Sequence, residues 1–114
     1  MNLSIVIPVY NEEKTILQIL SKIDNLKKFC NIEVIVVNDG SIDNSKNIIE
    51  QNSHFYSSFI NLKTNSGKGK AVIEGIKKCT HEYIIFQDAD LEYDPKDIIT
   101  FIEENKKFNF DIIM

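Results

Sequence analysis

Apolar runs of strand length alternate along this chain with apolar residues at helical spacing. That alternation limits the fold more than any other feature. Leu3, Ile5, Val6, Ile7 and Val9 form a near-continuous run, as expected of a strand buried on both faces. Pro8 has no N–H to give a ladder, so the strand ends there. Ile16, Leu17, Ile19, Leu20, Ile23 and Leu26 then recur at helical spacing and predict a helix over about 13–28. Ile32 to Val37 is a second buried strand, stopped by the turn residues Asn38-Asp39-Gly40-Ser41. Ser41 or Asp43 is placed to cap a short helix ending near Asn52. Phe55 to Leu62 reads as a weaker strand. Asn65 to Lys70 reads as a loop into a helix with Ala71, Val72, Gly75, Ile76 and Cys79 on its inner face. His81 to Gln87 is the next strand. Asp94 as N-cap, Pro95 at the first helical position and Asp97 near the positive end predict a helix carrying Ile98, Ile99, Phe101 and Ile102. Phe110 to Met114 begins one more strand, inside which the sequence stops.

The order β-α-β-α-β-α-β-α-β predicts an α/β fold, with a mostly parallel sheet and helices on both faces. At 114 residues with 43% hydrophobic and 26% charged composition, residues 1–114 read as one domain with one core. The net charge of -4 argues against nucleic acid or an anionic membrane as the main partner. All 13 fixed cations are Lys, so bidentate guanidinium clamping of phosphate is excluded within the chain. Cys30 and Cys79 lack metal or CxxC spacing and read as reduced thiols of a cytoplasmic protein. No signal peptide and no run of membrane-spanning length is present in these residues.

The chemistry gathers where strands end. Asp88 and Asp90 are two apart, so in extended chain their carboxylates point to one side. Acids placed so repel unless a cation lies between them, and Mg²⁺ typically takes one or two carboxylates together with water and substrate phosphate. A solvated acidic turn capping the next helix explains them less well, because Asp94 already serves as that cap. Asp39 is either an Asx-turn residue or a carboxylate able to accept hydrogen bonds from a base or ribose. Gly67-Lys68-Gly69-Lys70 is neither a Walker loop nor a dinucleotide fingerprint. It reads as a basic loop at a helix N-terminus, able to meet phosphate, or as a plain solvated loop. His54 and His81 have no partners at ligand spacing and read as structural. Phe86 and Tyr93 read as core or rim. In an open parallel sheet all the marked loops fall on the edge where ligands bind.

Four stretches in order, Ile5-Val6-Ile7-Pro8-Val9-Tyr10-Asn11-Glu12-Glu13, Val36-Val37-Asn38-Asp39-Gly40-Ser41-Ile42-Asp43, Asn65-Ser66-Gly67-Lys68-Gly69-Lys70-Ala71 and Gln87-Asp88-Ala89-Asp90-Leu91-Glu92-Tyr93-Asp94-Pro95, resemble the motifs of family 2 glycosyltransferases with the Rossmann-like GT-A fold. The subgroup resembled most is the dolichyl- or polyprenyl-phosphate mannosyl- and glucosyltransferases. The resemblance implies that Pro8, Tyr10 and Glu12 line a nucleotide pocket, that Val37 and Asp39 contact the base, and that Lys68 or Lys70 helps neutralise a diphosphate. It implies that Asp88, Ala89 and Asp90 form a DxD motif, with Asp90 the principal ligand of Mg²⁺ or Mn²⁺. Asp88 would contact ribose or metal-bound water, and Glu92 would be a further ligand. Asn38 stands where the family more often has Asp.

The donor implied is a GDP- or UDP-sugar. The acceptor implied is a polyprenyl phosphate, met at the cytoplasmic face of a membrane. Family members continue past this point with an acceptor-binding half, so the chain is expected to be the N-terminal, nucleotide-binding part of a longer domain, or a binding subunit that needs a partner chain for catalysis. A nucleotidyltransferase would carry a Gly-rich basic loop where Pro8-Val9-Tyr10-Asn11 stands, and a receiver domain would carry an acid pair there.

Overall fold

The computed structural model describes residues 2–91, 94–98, 100, 103 and 104. Its strands are β1 (Asn2–Val9), β2 (Asn31–Asp39), β3 (Ser58–Leu62) and β4 (Tyr83–Phe86), and its helices are α1 (Ile16–Leu26), α2 (Ser45–Gln51) and α3 (Lys68–Ile76). The four strands form one sheet in the order β3-β2-β1-β4, and every pairing is parallel. The chain steps outward from β1 to β2 to β3, then returns across the sheet to pair β4 on the other side of β1. Strand order therefore reverses at β1, the point where open α/β sheets leave a crevice beyond their strand ends.

The two faces are covered differently. Leu3, Ile5, Ile7 and Val9 of β1 pack with Val34 and Val36 of β2 and Ile85 of β4 against Ile16, Ile19, Leu20, Ile23 and Leu26 of α1 and Ile49 of α2. The five α1 residues are at most 3% exposed, and each such burial is worth about 1.5–3 kcal/mol. On the opposite face Val6, Ile35 and Val37 pack against Ala71 of α3. Gly75 lets this helix lie close to the sheet: a Cβ there would stand 2.4 Å from Val6 Cγ1 and 3.2 Å from Val37 Cγ2. Any side chain at this position must push the helix outward or distort the valines.

The sheet with helices on both faces matches the alternation of the sequence, and the differences lie at element ends. Ser53–Phe55 forms a 3₁₀ turn, and β3 starts only at Ser58. Ser57 marks the switch, its N–H donating to the Val34 carbonyl at 2.8 Å while its hydroxyl accepts from the Val34 N–H at 3.3 Å. Helix α3 already begins at Lys68, so Lys68 and Lys70 sit in its first turn rather than in a loop. Ile76, expected inward, is 38% exposed, while Ala71 is fully buried. Asp94 Oδ1 accepts the Lys96 N–H at 2.9 Å, while the helix expected after it is not among the described elements. Ile99, Phe101, Ile102 and the strand expected at 110–114 lie outside the described residues. Cys30 and Cys79 are thiols. No described helix is long and apolar enough to cross a membrane.

Candidate functional site

Three loops meet at the carboxyl edge of the sheet, over the seam between β1 and β4. The loop after β1 is laced to the loop after β2 by side chains that cap backbone N–H groups. Asn11 takes the left-handed conformation, φ 53°, which Asn tolerates better than most residues. Its Oδ1 accepts from the N–H groups of Ile42 at 2.9 Å and Asp43 at 3.3 Å, and its own N–H donates to Ser41 Oγ at 2.9 Å. The Glu12 N–H donates to Ser45 Oγ at 2.9 Å, the Glu13 N–H to Asp43 Oδ2 at 3.2 Å, and the Asn44 N–H to Glu13 Oε2 at 3.3 Å. Burial works to raise the Asp43 carboxyl, but the hydrogen bonds from Ser45 and Glu13 outweigh it, and it titrates below its ordinary value. Neither expected cap of α2 holds that position: the N-cap is Asn44, which makes no side-chain cap hydrogen bond, and Asp43 just before it accepts the Ser45 N–H at 2.9 Å. Thr15, at the N-cap position of α1, makes no cap hydrogen bond. Its hydroxyl donates to the Ala89 carbonyl and ties the loop after β4 to the same assembly.

These loops frame a cleft of about 440 Å³. Pro8, Tyr10 and Glu12 line it from the β1 side, Asp39 and Lys68 from the side of β2 and α3, and Asp88, Ala89 and Asp90 from β4. The sequence candidates thus converge, with three exceptions. Lys70 does not line the cleft and pairs with Glu74. Val37 is fully buried beneath α3, between the sheet and Gly75, and does not reach the cleft. Glu92 lies outside the described residues.

Asp39 ends β2 and is only 4% exposed. Its carboxylate accepts the Ser66 N–H at 2.7 Å and the Gly67 N–H at 3.0 Å, so it holds the turn that opens α3. Gly40 beside it has φ 67°, and a Cβ there would meet Asn65 N at 2.4 Å. Glycine is what lets this turn cross β2 so closely. Across the cleft, Lys68 Nζ pairs with Asp88 Oδ1. The Glu12 carboxyl is raised above its ordinary range by burial first and then by the charges of Asp90, Asp43 and Asp88. The cleft therefore sets Glu12 among carboxylates whose charges disfavour its ionisation, with the Lys68 ammonium on the far side.

Among the described residues, no group of three His, Cys, Asp or Glu is placed to hold a metal ion unaided. Asp88 and Asp90 nonetheless fit a Mg²⁺-type cation, which needs only one or two carboxylates when substrate phosphates complete its shell. An ammonium already seated on Asp88 shows that the position favours positive charge. The sequence reading missed Val9, Asn65 and Ala71 as lining residues, and missed the lacing by Asn11, Ser41 and Ser45. Small and turn-forming side chains carry no signal that distinguishes such partners thirty residues apart.

The family model for Glycosyl transferase family 2 matches residues 4–114. The chain is 37% identical over 108 residues to the poly-beta-1,6-N-acetyl-D-glucosamine synthase of Staphylococcus epidermidis, covering 92% of this chain and 26% of that protein. It is 34% identical over 107 residues to the dolichol-phosphate mannosyltransferase of Pyrococcus furiosus, covering 93% and 30%. Among solved structures, S. aureus TarS 1-349 in complex with UDP-GlcNAc superposes with a TM-score of 0.70 at 31% identity, covering 93% of this chain and 32% of that one. The chain spans about a quarter to a half of the length of the curated relatives it matches. Its parallel sheet, covered by helices on both faces, is the Rossmann-like arrangement of GT-A glycosyltransferases. With four ordered motifs brought to one sheet edge and a family match along nearly its whole length, the chain belongs to glycosyl transferase family 2.

Proposed function

We propose that residues 1–114 form the donor-binding part of a glycosyltransferase that takes a sugar from a nucleoside diphosphate sugar with the help of a divalent cation. The observation that carries this reading is the cleft at the strand-order reversal, where Asp88, Asp90 and Glu12 face Lys68 and Asp39. Tyr10 and Pro8 offer a wall for the nucleoside, and Asp39 can accept a base ring N–H, which uracil and guanine both provide. Asp90 is the principal metal ligand and Asp88 contacts ribose or metal-bound water, with Glu92 a further candidate ligand. Mg²⁺ or Mn²⁺, when bound, would offset the charge that develops on the departing diphosphate. The relative in complex with UDP-GlcNAc supports a UDP-sugar, and the dolichol-phosphate mannosyltransferase relative supports a GDP-sugar and a polyprenyl phosphate acceptor. With such an acceptor the protein works against the cytoplasmic face of a membrane.

The limited span of the chain against its relatives favours a second arrangement, in which these residues bind the donor and acceptor chemistry depends on further residues or a partner chain. Titration calorimetry with UDP and GDP, with and without Mn²⁺, tests the binding reading. Metal-dependent uptake of at least one nucleotide is expected, lost by about a hundredfold or more in Asp90→Ala with the circular dichroism spectrum unchanged. Equal nucleotide affinity in Asp90→Ala, with and without Mn²⁺, sinks the assignment. Turnover assays with polyprenyl phosphate then separate a transferase from a donor-binding part.

A further inference from the structure

Lys68 is the one lysine lining the cleft among the described residues. Its ammonium rests on Asp88 Oδ1, while Asp90 and Glu12 line the same space. The lysine side chain is 62% exposed and that of Asp88 28% exposed. An ion pair this open is worth at most about 1 kcal/mol, so it can exchange partners without disrupting the fold. Its backbone, by contrast, is fixed. Gly67, just before it, donates to Asp39, and the Ala71 N–H closes the first helical turn onto the Gly67 carbonyl at 3.1 Å. A flexible four-carbon stem on an anchored helix start can swing its charge without moving the chain.

We infer that Lys68 is the resident counter-ion of this site: its ammonium occupies Asp88 until a divalent cation and a diphosphate arrive together, and it then passes from the carboxylate to the phosphates. The inference rests on the donor-binding reading. A divalent cation entering alone at Asp90 meets the ammonium on Asp88 as a second positive charge and drives it toward water. A diphosphate removes that obstacle, because its oxygens complete the metal's shell and give the ammonium a new anionic partner. Metal and nucleotide are then coupled, each raising the other's affinity by the same factor. No bond is made or broken; the step is an exchange of ionic partners.

The variant Lys68→Gln separates this role from a structural one because two readouts move in opposite directions. Free Mn²⁺ is followed by its electron paramagnetic resonance signal, and UDP and GDP binding by calorimetry at saturating Mn²⁺. Without nucleotide, Lys68→Gln is expected to bind Mn²⁺ about fivefold more tightly than the wild-type chain. With Mn²⁺ present it binds the nucleotide more weakly, so the coupling between the two ligands shrinks. Lys77→Gln, at the far end of α3 where Lys77 pairs with Glu74, serves as a charge control and changes neither. Unchanged or weaker Mn²⁺ binding in Lys68→Gln overturns the exchange, while metal-dependent nucleotide uptake by the wild type would leave the donor-binding reading standing. Absence of that uptake in the wild type overturns both.

Discussion

Strand β2 carries a carboxylate near each end, six residues apart and on the same face, and the two do opposite things. Glu33 lies toward the amino edge and accepts from the Ser4 hydroxyl, the Thr80 N–H and hydroxyl, and the His81 N–H. Ser4 is fully buried, and these donors come from β1 and the segment that follows α3. Burial alone would raise the Glu33 carboxyl, but the hydrogen bonds from Ser4 and Thr80 outweigh it and hold it below its ordinary value. Asp39 at the carboxyl edge also accepts backbone N–H groups, but from the turn before α3 and at the wall of an open cleft. One connection is thus fastened to one strand at both ends. At the amino edge the fastening is saturated. At the carboxyl edge it borders on Glu12, whose ionisation is resisted by its surroundings. The acid with its hydrogen bonds filled thus stands at the edge that is fastened shut, and the acid whose ionisation is resisted stands at the open cleft.

The largest test of this contrast is Glu33→Ala. It leaves the Ser4 hydroxyl and both Thr80 donors without this acceptor, while the His81 N–H keeps Ser4 Oγ at 3.3 Å, and urea unfolding should show a loss of about 2–3 kcal/mol. Nucleotide binding to the folded protein should stay unchanged; a matching loss of UDP or GDP affinity would break the separation of roles. The pH dependence has a definite sign. Glu33 titrates lower folded than unfolded, so its contribution is present above the ordinary carboxylate value near 4.5 and is lost as pH falls through the folded value. Glu33→Gln should therefore lose part of the wild type's acid sensitivity in that range.

Asp39→Ala comes next. Stability should fall by about 1–2 kcal/mol, since the two freed N–H groups lie nearer water. Nucleotide affinity should fall about tenfold even in metal-free buffer. Intact affinity would make Asp39 a fastening like Glu33 and remove it from the base site. Glu12→Gln should have the smallest effect, in the opposite direction. Because the folded Glu12 titrates above its unfolded value, its ionised form destabilises the fold at neutral pH, and this cost disappears below the unfolded value. In metal-free buffer the variant should melt slightly above wild type at pH 7, with the advantage gone near pH 4. An advantage that persists in acid would show that packing rather than charge is responsible.

The sequence revealed the sheet because a parallel strand buried on both faces leaves an apolar run that little else produces. The edge strand β3 is half-buried, so its pattern was weaker and its start was displaced by the 3₁₀ turn. The position of Asp88 and Asp90 at the cleft wall was legible because both follow a strand at the carboxyl edge of the sheet. The engagement of Asp39 with Ser66 and Gly67 was not legible, because a carboxylate suited to a base N–H is equally suited to a backbone N–H. Val37 carried the same apolar signal as its neighbours, and only the sheet's twofold alternation decides that it faces α3. Lys68 was marked as a charge near phosphate, but its pairing with Asp88 depends on a contact across twenty residues.

The placement of β4 has a consequence for how the protein folds. The two walls of the cleft are some eighty residues apart in sequence and are joined through the short ladder from Leu3↔Tyr83 to Val6↔Phe86. Closing that ladder requires a long loop to be ordered first, which makes it a slow, non-local step. No local fragment can hold the site before this step is complete. A nucleotide that binds across the seam therefore selects the fully paired sheet, and at a hundred times its dissociation constant adds about 2.7 kcal/mol to its stability. The cleft is in that sense a checkpoint for folding, and a nucleotide-induced rise in melting temperature would report the docking of β4.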